Sequence, residues 1–503
     1  MVNNIKSFFA SINSLKKKSL EVDNKDPYIG VIQAGFLLIF LFLLLQLPSP
    51  EKDIAFFIIC SIIFLLFSVL FLRRAWLTFL FLLPFLDLTP PLFEITKLPV
   101  YRMILIIVTL CFFFFYKKGF FFWRKLFRSP GFASFGLFVL ASFISALHAL
   151  NMEAIFRALT YIEPMLFFLF TYYLVSQGLS RLRTIMRTII TGGTIVSALG
   201  LMEIAFQFSV RKVLRIPLTP DLETVFKEDR FGLGGRIAST ISHPVYAGIY
   251  FLILLILLFY FIFTHKPRFK PLLLVLIPIY VLLMLGTGAR AVIVSLIFCV
   301  CSLVFFSKLK KRIIIPVTAV TLILLVVFVV IFPQIFQYFQ KSASLDSTSA
   351  ASYNISKRIE MTNAFFNVFK ENLIFGYGPG LIQKEALGGT STQFEGYRGV
   401  ENQYAIILAD GGLIGGLAYL LFLVGALLQS LKISRAPLSR DVQLSGLMLL
   451  LIFIAYFIFV TSETCLTLVP NFLIMAIYGG VVAQFDKKVA EEPNDILPEL
   501  YLP

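Results

Sequence analysis

Residues 244–264 read PVYAGIYFLILLILLFYFIFT, an apolar run without a single charged side chain. A helix needs about 20 such residues to cross the roughly 30 Å hydrocarbon core of a bilayer, because all of its backbone hydrogen bonds are then made within the segment. The run therefore predicts a transmembrane helix. Similar runs elsewhere in the chain decide the rest of the fold.

The composition indicates a membrane protein along most of the chain. Apolar residues make up 58% of the 503 residues and charged residues only 14%, whereas a soluble domain averages about 45 to 50% apolar residues. The formal net charge of +16 is expected to act on anionic lipid and on membrane topology, so we expect membrane lipids and no nucleic acid as partners.

Fourteen candidate spans follow from the length rule, with twelve as a lower bound. They lie at 29–47, 54–72, 75–88, 102–116, 131–149, 158–175, 188–208, 244–264, 271–286, 291–307, 313–332, 404–429, 443–461 and 467–485. The third span is the weakest, because it is short and is followed by Pro90 and Pro91, so a re-entrant or tilted segment is the alternative. We predict an all-α, polytopic transmembrane bundle.

The positions of the cations predict the orientation of the bundle, because basic loops resist translocation. Alternate connections hold most of the loop lysines and arginines, and the opposite short loops hold only Lys52, Lys97, Arg157 and Arg290. Both termini are therefore predicted to be cytoplasmic. The predicted divisions are a cytoplasmic segment 1–28, a bundle 29–332 with an outer loop 209–243, a large extracytoplasmic loop 333–401, helices 402–485 and a cytoplasmic tail 486–503.

The large outer loop contains one predicted amphipathic helix. Its apolar residues recur at three- and four-residue spacing, and Gly376 provides a stop. The stripe consists of Ile355, Ile359, Thr362, Phe366, Phe369 and Leu373. We expect this interfacial helix to lie along the outer membrane surface; a helix that packs over the bundle is the alternative.

Arginines near the predicted outer boundary are the main candidates for chemistry. Arg290 ends a five-residue run, Gly286 to Arg290, between two spans, and Arg236 follows two glycines shortly before another span. A cation at that depth needs an anion, and guanidinium groups bind phosphate oxygens in pairs. For Arg290, snorkelling to lipid headgroups is the alternative. His243 is a candidate as well, although it more simply caps the helix that Pro244 begins.

Further candidates lie in the large outer loop and at the ends of spans. Arg358 and Arg398 extend the set of outer arginines, and Glu401 precedes a span in a position that suits a catalytic base. Carboxylates in or beside spans usually form ion pairs or carry function, and for these a salt bridge to a neighbouring arginine is the simpler interpretation. They are Glu163, Glu203, Asp410 and Glu463. We find no nucleotide-binding loop and no metal-ligand motif, so we expect no cofactor and no metal.

Four segments together resemble one family. Thr287-Gly-Ala-Arg290 resembles its Thr-Gly-Ser-Arg motif, and Arg236 to Tyr246 is similar to its Arg…His/Asn-Pro segment. Arg358 followed by Asn372 to Gly380 resembles its Arg…Asn-Pro-Leu-Phe-Gly-Val-Gly-Pro-Gly stretch. Glu401-Asn402-Gln-Tyr404 with Asp410-Gly-Gly-Leu-Ile-Gly resembles its His/Asp-Asn-x-Tyr…Glu-x-Gly-Ile-Ile-Gly stretch. This is the O-antigen ligase and polymerase superfamily, matched in order over about residues 190–430.

The resemblance implies a GT-C-like, metal-independent, inverting glycosyltransferase on the outer face of the bacterial cytoplasmic membrane. Its donor would be a glycan linked to undecaprenyl diphosphate, and its acceptor a glycan or lipid hydroxyl. Carried onto this chain, the diphosphate-binding residues would be Arg236, Arg290, Arg358, Arg398, His243, Asn402 and Tyr404. A chain-length regulator is left open as a partner.

One departure from the family pattern bears on the type of reaction. Glu401 stands where the ligase branch has a histidine, and a carboxylate of raised pKa could take the acceptor proton instead. We therefore favour a repeat-unit polymerase with Glu401 and Arg290 as catalytic residues, over an O-antigen ligase that transfers glycan to lipid A core. A transporter of lipid-linked sugar is the alternative from another functional class.

Overall fold

The structure is a computed structural model that describes residues 72–87, 100–115, 129–207, 209–210, 235–264, 270–306, 350–382 and 402–491. Regular structure within these ranges is α-helical, which confirms the predicted all-α class. The predicted spans 29–47 and 313–332 and almost all of 54–72 lie outside the described residues. The same holds for the two predicted cytoplasmic termini, apart from the last helix, and for most of the outer loop 209–243.

The described helices are numbered in chain order. They are α1 Leu72–Leu86, α2 Val100–Phe115, α3 Pro130–His148, α4 Met152–Thr160, α5 Ile162–Ser176, α6 Leu182–Phe206, α7 Pro244–Thr264, α8 Lys270–Gly286, α9 Arg290–Phe306, α10 Ala350–Glu371, α11 Gln403–Arg435, α12 Arg440–Phe459 and α13 Val469–Glu491.

Seven stretches of this part of the chain are long and apolar enough to cross a membrane, which makes the protein a multi-pass membrane protein. They are Pro130–His148, Met152–Ser176, Leu182–Phe206, Pro244–Thr264, Gln403–Arg435, Arg440–Phe459 and Val469–Glu491. Three shorter apolar helices accompany them: Tyr101–Phe112, Leu273–Gly286 and Arg290–Phe306. The number of fourteen spans stays a prediction.

Helix α7 lies at the centre of the bundle. It is the run from which the fold was predicted, and its bounds are those expected. Of its 18-residue apolar stretch, 94% is buried inside the protein. It contacts α8, α12, α6, α13 and α9. A helix that is apolar on every side fits this position, because each of its faces meets another helix.

Two predicted spans differ in detail from the structure. The predicted span 158–175 begins earlier, at Met152, and is interrupted at Tyr161, so that the short amphipathic helix α4 precedes α5. Helix α1 has 15 residues and is about 22 Å long at 1.5 Å per residue, shorter than the hydrocarbon core, as its weak signal indicated.

Two ends of the bundle differ in their charged groups. At one end Arg183 contacts Asp441 with 2.6 Å between Nη2 and Oδ1, and Tyr172 donates to Asp486 at 2.6 Å. We call this the basic end, since it carries Arg73, Arg74, Arg181, Arg183, Arg187, Arg435, Arg440, Lys487 and Lys488. The opposite end carries the end of α6, the beginning of α7, and the connections between α8 and α9 and between α12 and α13; we call it the site end.

Candidate functional site

The turn between α8 and α9 is short and is held by its own threonine. Thr287 donates from Oγ1 to the carbonyl oxygen of Met284 at 2.7 Å, and Gly288 has a φ of 68°, a left-handed conformation that glycine adopts without strain. Gly248 of α7 lies against this turn, since a Cβ there would be 2.8 Å from Thr287 Oγ1. Small residues therefore let α7 approach the turn that precedes Arg290.

Arg236 lies against the same turn. Its Nε donates to the carbonyl oxygen of Thr287 at 2.8 Å, and the backbone N–H of Ile237 donates to the carbonyl oxygen of Gly286 at 3.1 Å. Arg236 is 7% exposed, and Arg290, the first residue of α9, is half-buried. The structure thus brings together the two segments, far apart in sequence, that the arginine motifs occupy.

A buried carboxylate holds the Arg236 segment from its other side. Glu203 of α6 accepts from the backbone N–H of Val210 at 2.9 Å and from that of Ser239 at 2.8 Å. Ser239 has a φ of 53° and donates from its hydroxyl to the carbonyl oxygen of Val196 at 2.7 Å. Two backbone N–H donors therefore hold the Glu203 carboxylate, and the salt bridge that we expected for it stays a prediction.

His243 has the capping position that its neighbour Pro244 predicted. Its Nδ1 accepts from the backbone N–H of Val245 at 3.2 Å, and its ring lies 5.3 Å from that of Tyr246. Asp87, directly after α1, accepts from the N–H of Ser242 at 2.6 Å. The cap is confirmed, and a contact of His243 with substrate stays a prediction.

Asn402 and Tyr404 fix the beginning of α11. Asn402 is the N-cap, and its Oδ1 accepts from the backbone N–H groups of Tyr404 and Ala405 at 3.0 and 3.2 Å. The hydroxyl of Tyr404 donates to the carbonyl oxygen of Phe457 on α12 at 3.1 Å. Both residues therefore have structural roles, in addition to the substrate contact that the resemblance implies for them.

Helix α11 is interrupted inside its apolar stretch. Gly412 has φ 63° and ψ −162°, so the first nine residues form a separate half-helix, Gln403 to Gly411. Asp410, the second-last residue of this half-helix, is 4% exposed, and its Oδ2 accepts from the backbone N–H of Gly380 at 2.9 Å. Sequence reasoning noted the charge of Asp410 but not the break, for which only the pair Gly411–Gly412 gave a signal.

A group of charged residues at the site end was not predicted as a unit. Glu163 forms the expected salt bridge, with 2.5 Å between its Oε1 and Nε of Arg102. Arg157 of α4 acts electrostatically on both Glu163 and Asp410. The four charges alternate in sign and come from four helices. Their sequence positions are far apart, so no spacing pattern revealed the group.

The remaining predicted site residues are only partly described. Arg358 lies on α10, whose C-terminal part packs on the half-helix through Phe365 and Val368. Its helix is described and its side chain is not. Arg398 and Glu401 lie outside the described residues. The face that packs on the bundle differs from the predicted apolar stripe, because Phe366 and Leu373 of that stripe are exposed.

The two arginine turns and the beginning of α11 lie at the same end of the bundle. The N–H of Gln403 donates to the carbonyl oxygen of Val460, directly after α12, at 3.0 Å. Helix α9 lies along the same helix α12, with Ser295 Oγ 3.2 Å from the carbonyl oxygen of Ala455. Arg290 and Asn402 therefore both lie near the end of α12.

No curated protein matches the chain. Residues 273–420 match the family model described as O-antigen ligase. The matched range contains the turn before Arg290, helix α10 and the half-helix at the beginning of α11, whereas Arg236 and His243 precede it. The chain therefore carries, over residues 273–420, a domain of the O-antigen ligase and polymerase superfamily.

Proposed function

We propose that the protein is a membrane glycosyltransferase that moves a glycan from a lipid-linked diphosphate donor to an acceptor hydroxyl. The observation that carries this proposal is the contact of the Arg236 segment with the turn before Arg290. Two guanidinium groups beside glycine-rich backbone suit the oxygens of a diphosphate, because such groups stay charged at any working pH.

Each arginine has a distinct part in this reaction. The bond from Arg236 Nε to Thr287 fixes the plane of the guanidinium, and this orientation limits the reorganisation needed as charge develops. Arg290 at the N-terminus of α9 adds its charge to the positive end of the helix dipole. Together they would stabilise the diphosphate as a leaving group while the acceptor oxygen attacks the anomeric carbon, so electrostatics would supply the main catalytic effect.

Glu401 is the proposed base that acts on the acceptor hydroxyl. It directly precedes in sequence Asn402, the cap of α11 at the site end. In the proposed mechanism its carboxylate takes the proton of the acceptor hydroxyl, while Arg358 and Arg398 hold the donor. A carboxylate in place of the histidine of the ligase branch favours repeat-unit polymerisation, and ligation to a lipid acceptor is the first alternative.

The proposed location follows from the charge distribution. The basic end would face the cytoplasm and the site end the outer side of the bacterial cytoplasmic membrane, because cationic connections are retained inside. An undecaprenyl-diphosphate-linked glycan would then reach the site from the outer leaflet.

One observation favours the transporter alternative: helix α11 is interrupted, and carriers bind solute at interrupted helices. In this protein a turn of the same chain occupies the break, which favours an enzyme. Reconstituted protein that moves lipid-linked sugar across vesicles without joining sugars would support the transporter instead.

The experiment compares Arg236→Ala and Arg290→Ala with Arg435→Ala, an exposed arginine at the basic end. Purified full-length protein is incubated with a lipid-diphosphate-linked repeat unit and an acceptor, and the products are separated by size. We expect each site variant to lose at least about 100-fold in rate and Arg435→Ala to retain activity. A product ladder indicates a polymerase and a single larger conjugate a ligase; wild-type rates in both site variants would refute the proposal.

A further inference from the structure

The interruption of α11 leaves backbone groups that the helix itself does not pair. In a continuous helix the carbonyl oxygens of Ala409 and Asp410 would accept from the N–H groups of Leu413 and Ile414. The left-handed conformation of Gly412 separates these partners. Unpaired backbone groups in an apolar surrounding are costly, so the break needs other partners.

The turn after α10 supplies all four of these partners. Leu413 N donates to the carbonyl oxygen of Leu373 at 2.8 Å and Ile414 N to that of Ile374 at 3.4 Å. In the opposite direction the N–H groups of Tyr377 and Gly378 donate to the carbonyl oxygens of Ala409 and Asp410 at 3.0 and 2.9 Å. The sets of donors and acceptors match one for one. We name residues 373–380 the inserted turn.

Two glycines make this fit possible. Gly376 has a φ of 70°, and a Cβ on it would lie 2.5 Å from the backbone nitrogen of Gly412. A Cβ on Gly412 would in turn clash with the carbonyl oxygen of Ile374. Any larger residue at either position would push the two backbones apart. Gly411, the neighbour of Gly412, has open space at its Cβ position.

Asp410 anchors the far end of the inserted turn. Its Oδ2 accepts from the N–H of Gly380, and its own carbonyl oxygen also accepts from Ser145 Oγ of α3 at 2.5 Å. The side chain of Arg157 covers the same place, since a Cβ on Gly380 would be 3.2 Å from Arg157 Cγ. The ring of Phe375 lies 5.0 Å from that of His148. The inserted turn thus rests on α3 and α4 as well as on α11.

The inserted turn joins α10 directly to the half-helix at whose beginning Asn402 lies. Phe365 and Val368 of α10 form one apolar cluster with Ala405, Ile406 and Ala409 of the half-helix. Arg358 on α10 and Glu401 before Asn402 therefore belong to segments that are fastened to the same nine residues.

We propose that the inserted turn, anchored by Asp410, positions the helix that carries Arg358 relative to the N-terminus of α11, and that Asp410 is a positioning residue of the transferase site. The effect on activity rests on the proposed function, and the docking of the turn does not. Asp410 acts through Gly380 and makes no contact with substrate in this scheme.

The docking is tested by hydrogen exchange of full-length protein in lipid nanodiscs, with Gly412→Ala compared with its matched control Gly411→Ala. We expect the amides that make the docking bonds to exchange about tenfold faster or more in Gly412→Ala. They are those of Tyr377, Gly378, Gly380, Leu413 and Ile414. Gly411→Ala should exchange as the wild type does. Unchanged exchange in Gly412→Ala, or equally fast exchange in both variants, would overturn the docking.

The positioning role is tested with Asp410→Ala and Asp410→Asn, since an amide oxygen still accepts from Gly380 N and alanine offers no acceptor. We expect Asp410→Ala to exchange faster at Gly380 and to lower kcat about tenfold or more, with KM less affected, and Asp410→Asn to restore both. Equal loss in the two variants, or faster exchange with unchanged kcat, would refute positioning. If the wild type turns over no lipid-linked glycan, the proposed function fails, while the exchange data still decide the docking.

Discussion

Glu203 and Arg236 show how single residues build the candidate site. Both side chains are buried, and both form hydrogen bonds with backbone groups of neighbouring segments. Arg236 fastens its segment to the turn at Thr287, and Glu203 fastens the same segment to α6. The position of the guanidinium therefore depends on a carboxylate that is outside the predicted set of binding residues.

Replacement of Glu203 by alanine should destabilise the protein, because two buried N–H groups lose their acceptor. Bonds to a charged group contribute about 1.5 kcal/mol each or more, so we expect a loss of about 3 kcal/mol in the free energy of unfolding. Thermal unfolding in detergent measures it. Glu203→Gln keeps one acceptor oxygen and should fall between alanine and wild type; a Glu203→Ala protein as stable as the wild type would contradict the bracing role.

Candidate residues were identified from sequence where a short local pattern carried the signal. Pro244 after His243 predicted the cap, and the five-residue run from Gly286 to Arg290 predicted a short connection between two spans. The partners of Asp410 and Arg157 were not predicted, because they are distant in sequence. The acceptor role of Asp410 depends on Gly380, thirty residues earlier, which no local pattern reveals.

At the scale of elements, small residues set how closely helices approach. Gly479 on α13 faces the backbone of Phe168 on α5, and a Cβ there would clash with that carbonyl oxygen. The pair α5 and α13 is one of the most extensively packed in the bundle. Close approach through small residues is a common way for membrane helices to associate, because lipid offers no hydrophobic driving force.

Gly479→Ala should therefore be destabilising, although alanine is the better helix former by about 1 kcal/mol. We expect a net loss of about 2 kcal/mol from the clash, seen as a lower midpoint of thermal unfolding. Gly415→Ala on α11 is the matched control, since its Cβ would meet only the carbonyl oxygen of Ile407 at 3.7 Å. A raised midpoint for both variants would show that α5 and α13 have room to separate.

Sequence patterns predicted the positions of these helices, but not where a helix is interrupted or which of its faces packs on the bundle. The apolar run of 404–429 gave the position of α11 but not its interruption, because a glycine pair is equally compatible with a continuous helix. The packing face of α10 at Phe365 and Val368 was missed, because the predicted stripe contained Phe366 and neither of these two residues. Partner helices decided both features.

At the scale of the whole molecule, the two ends of the bundle are chemically distinct. Cations gather at the basic end, and the arginine turns, the inserted turn and the cap of α11 gather at the site end. The long apolar helices of the bundle run between the two ends, whereas α4 and α10 lie at the site end. Which of the two ends faces the cytoplasm stays a prediction.

Cysteine labelling tests that orientation. Thr461→Cys places an exposed thiol at the site end and Ser439→Cys one at the basic end. With a membrane-impermeant maleimide, we expect Thr461→Cys to react in intact spheroplasts and Ser439→Cys only after permeabilisation, because the basic end should face the cytoplasm. The unsubstituted chain gives the background from the native cysteines. The reverse pattern would place the candidate site inside the cell.

The sequence by itself determined the class of the protein, because a run of about twenty apolar residues has only one stable form in lipid, the helix. It also determined which short segments carry arginines between glycines, since those signals are local. Only the tertiary structure decided that Arg236 rests on the turn before Arg290, that Glu203 braces it, and that a turn from α10 completes the broken helix α11. These contacts join residues far apart in the chain, and the packing of the helices selects them.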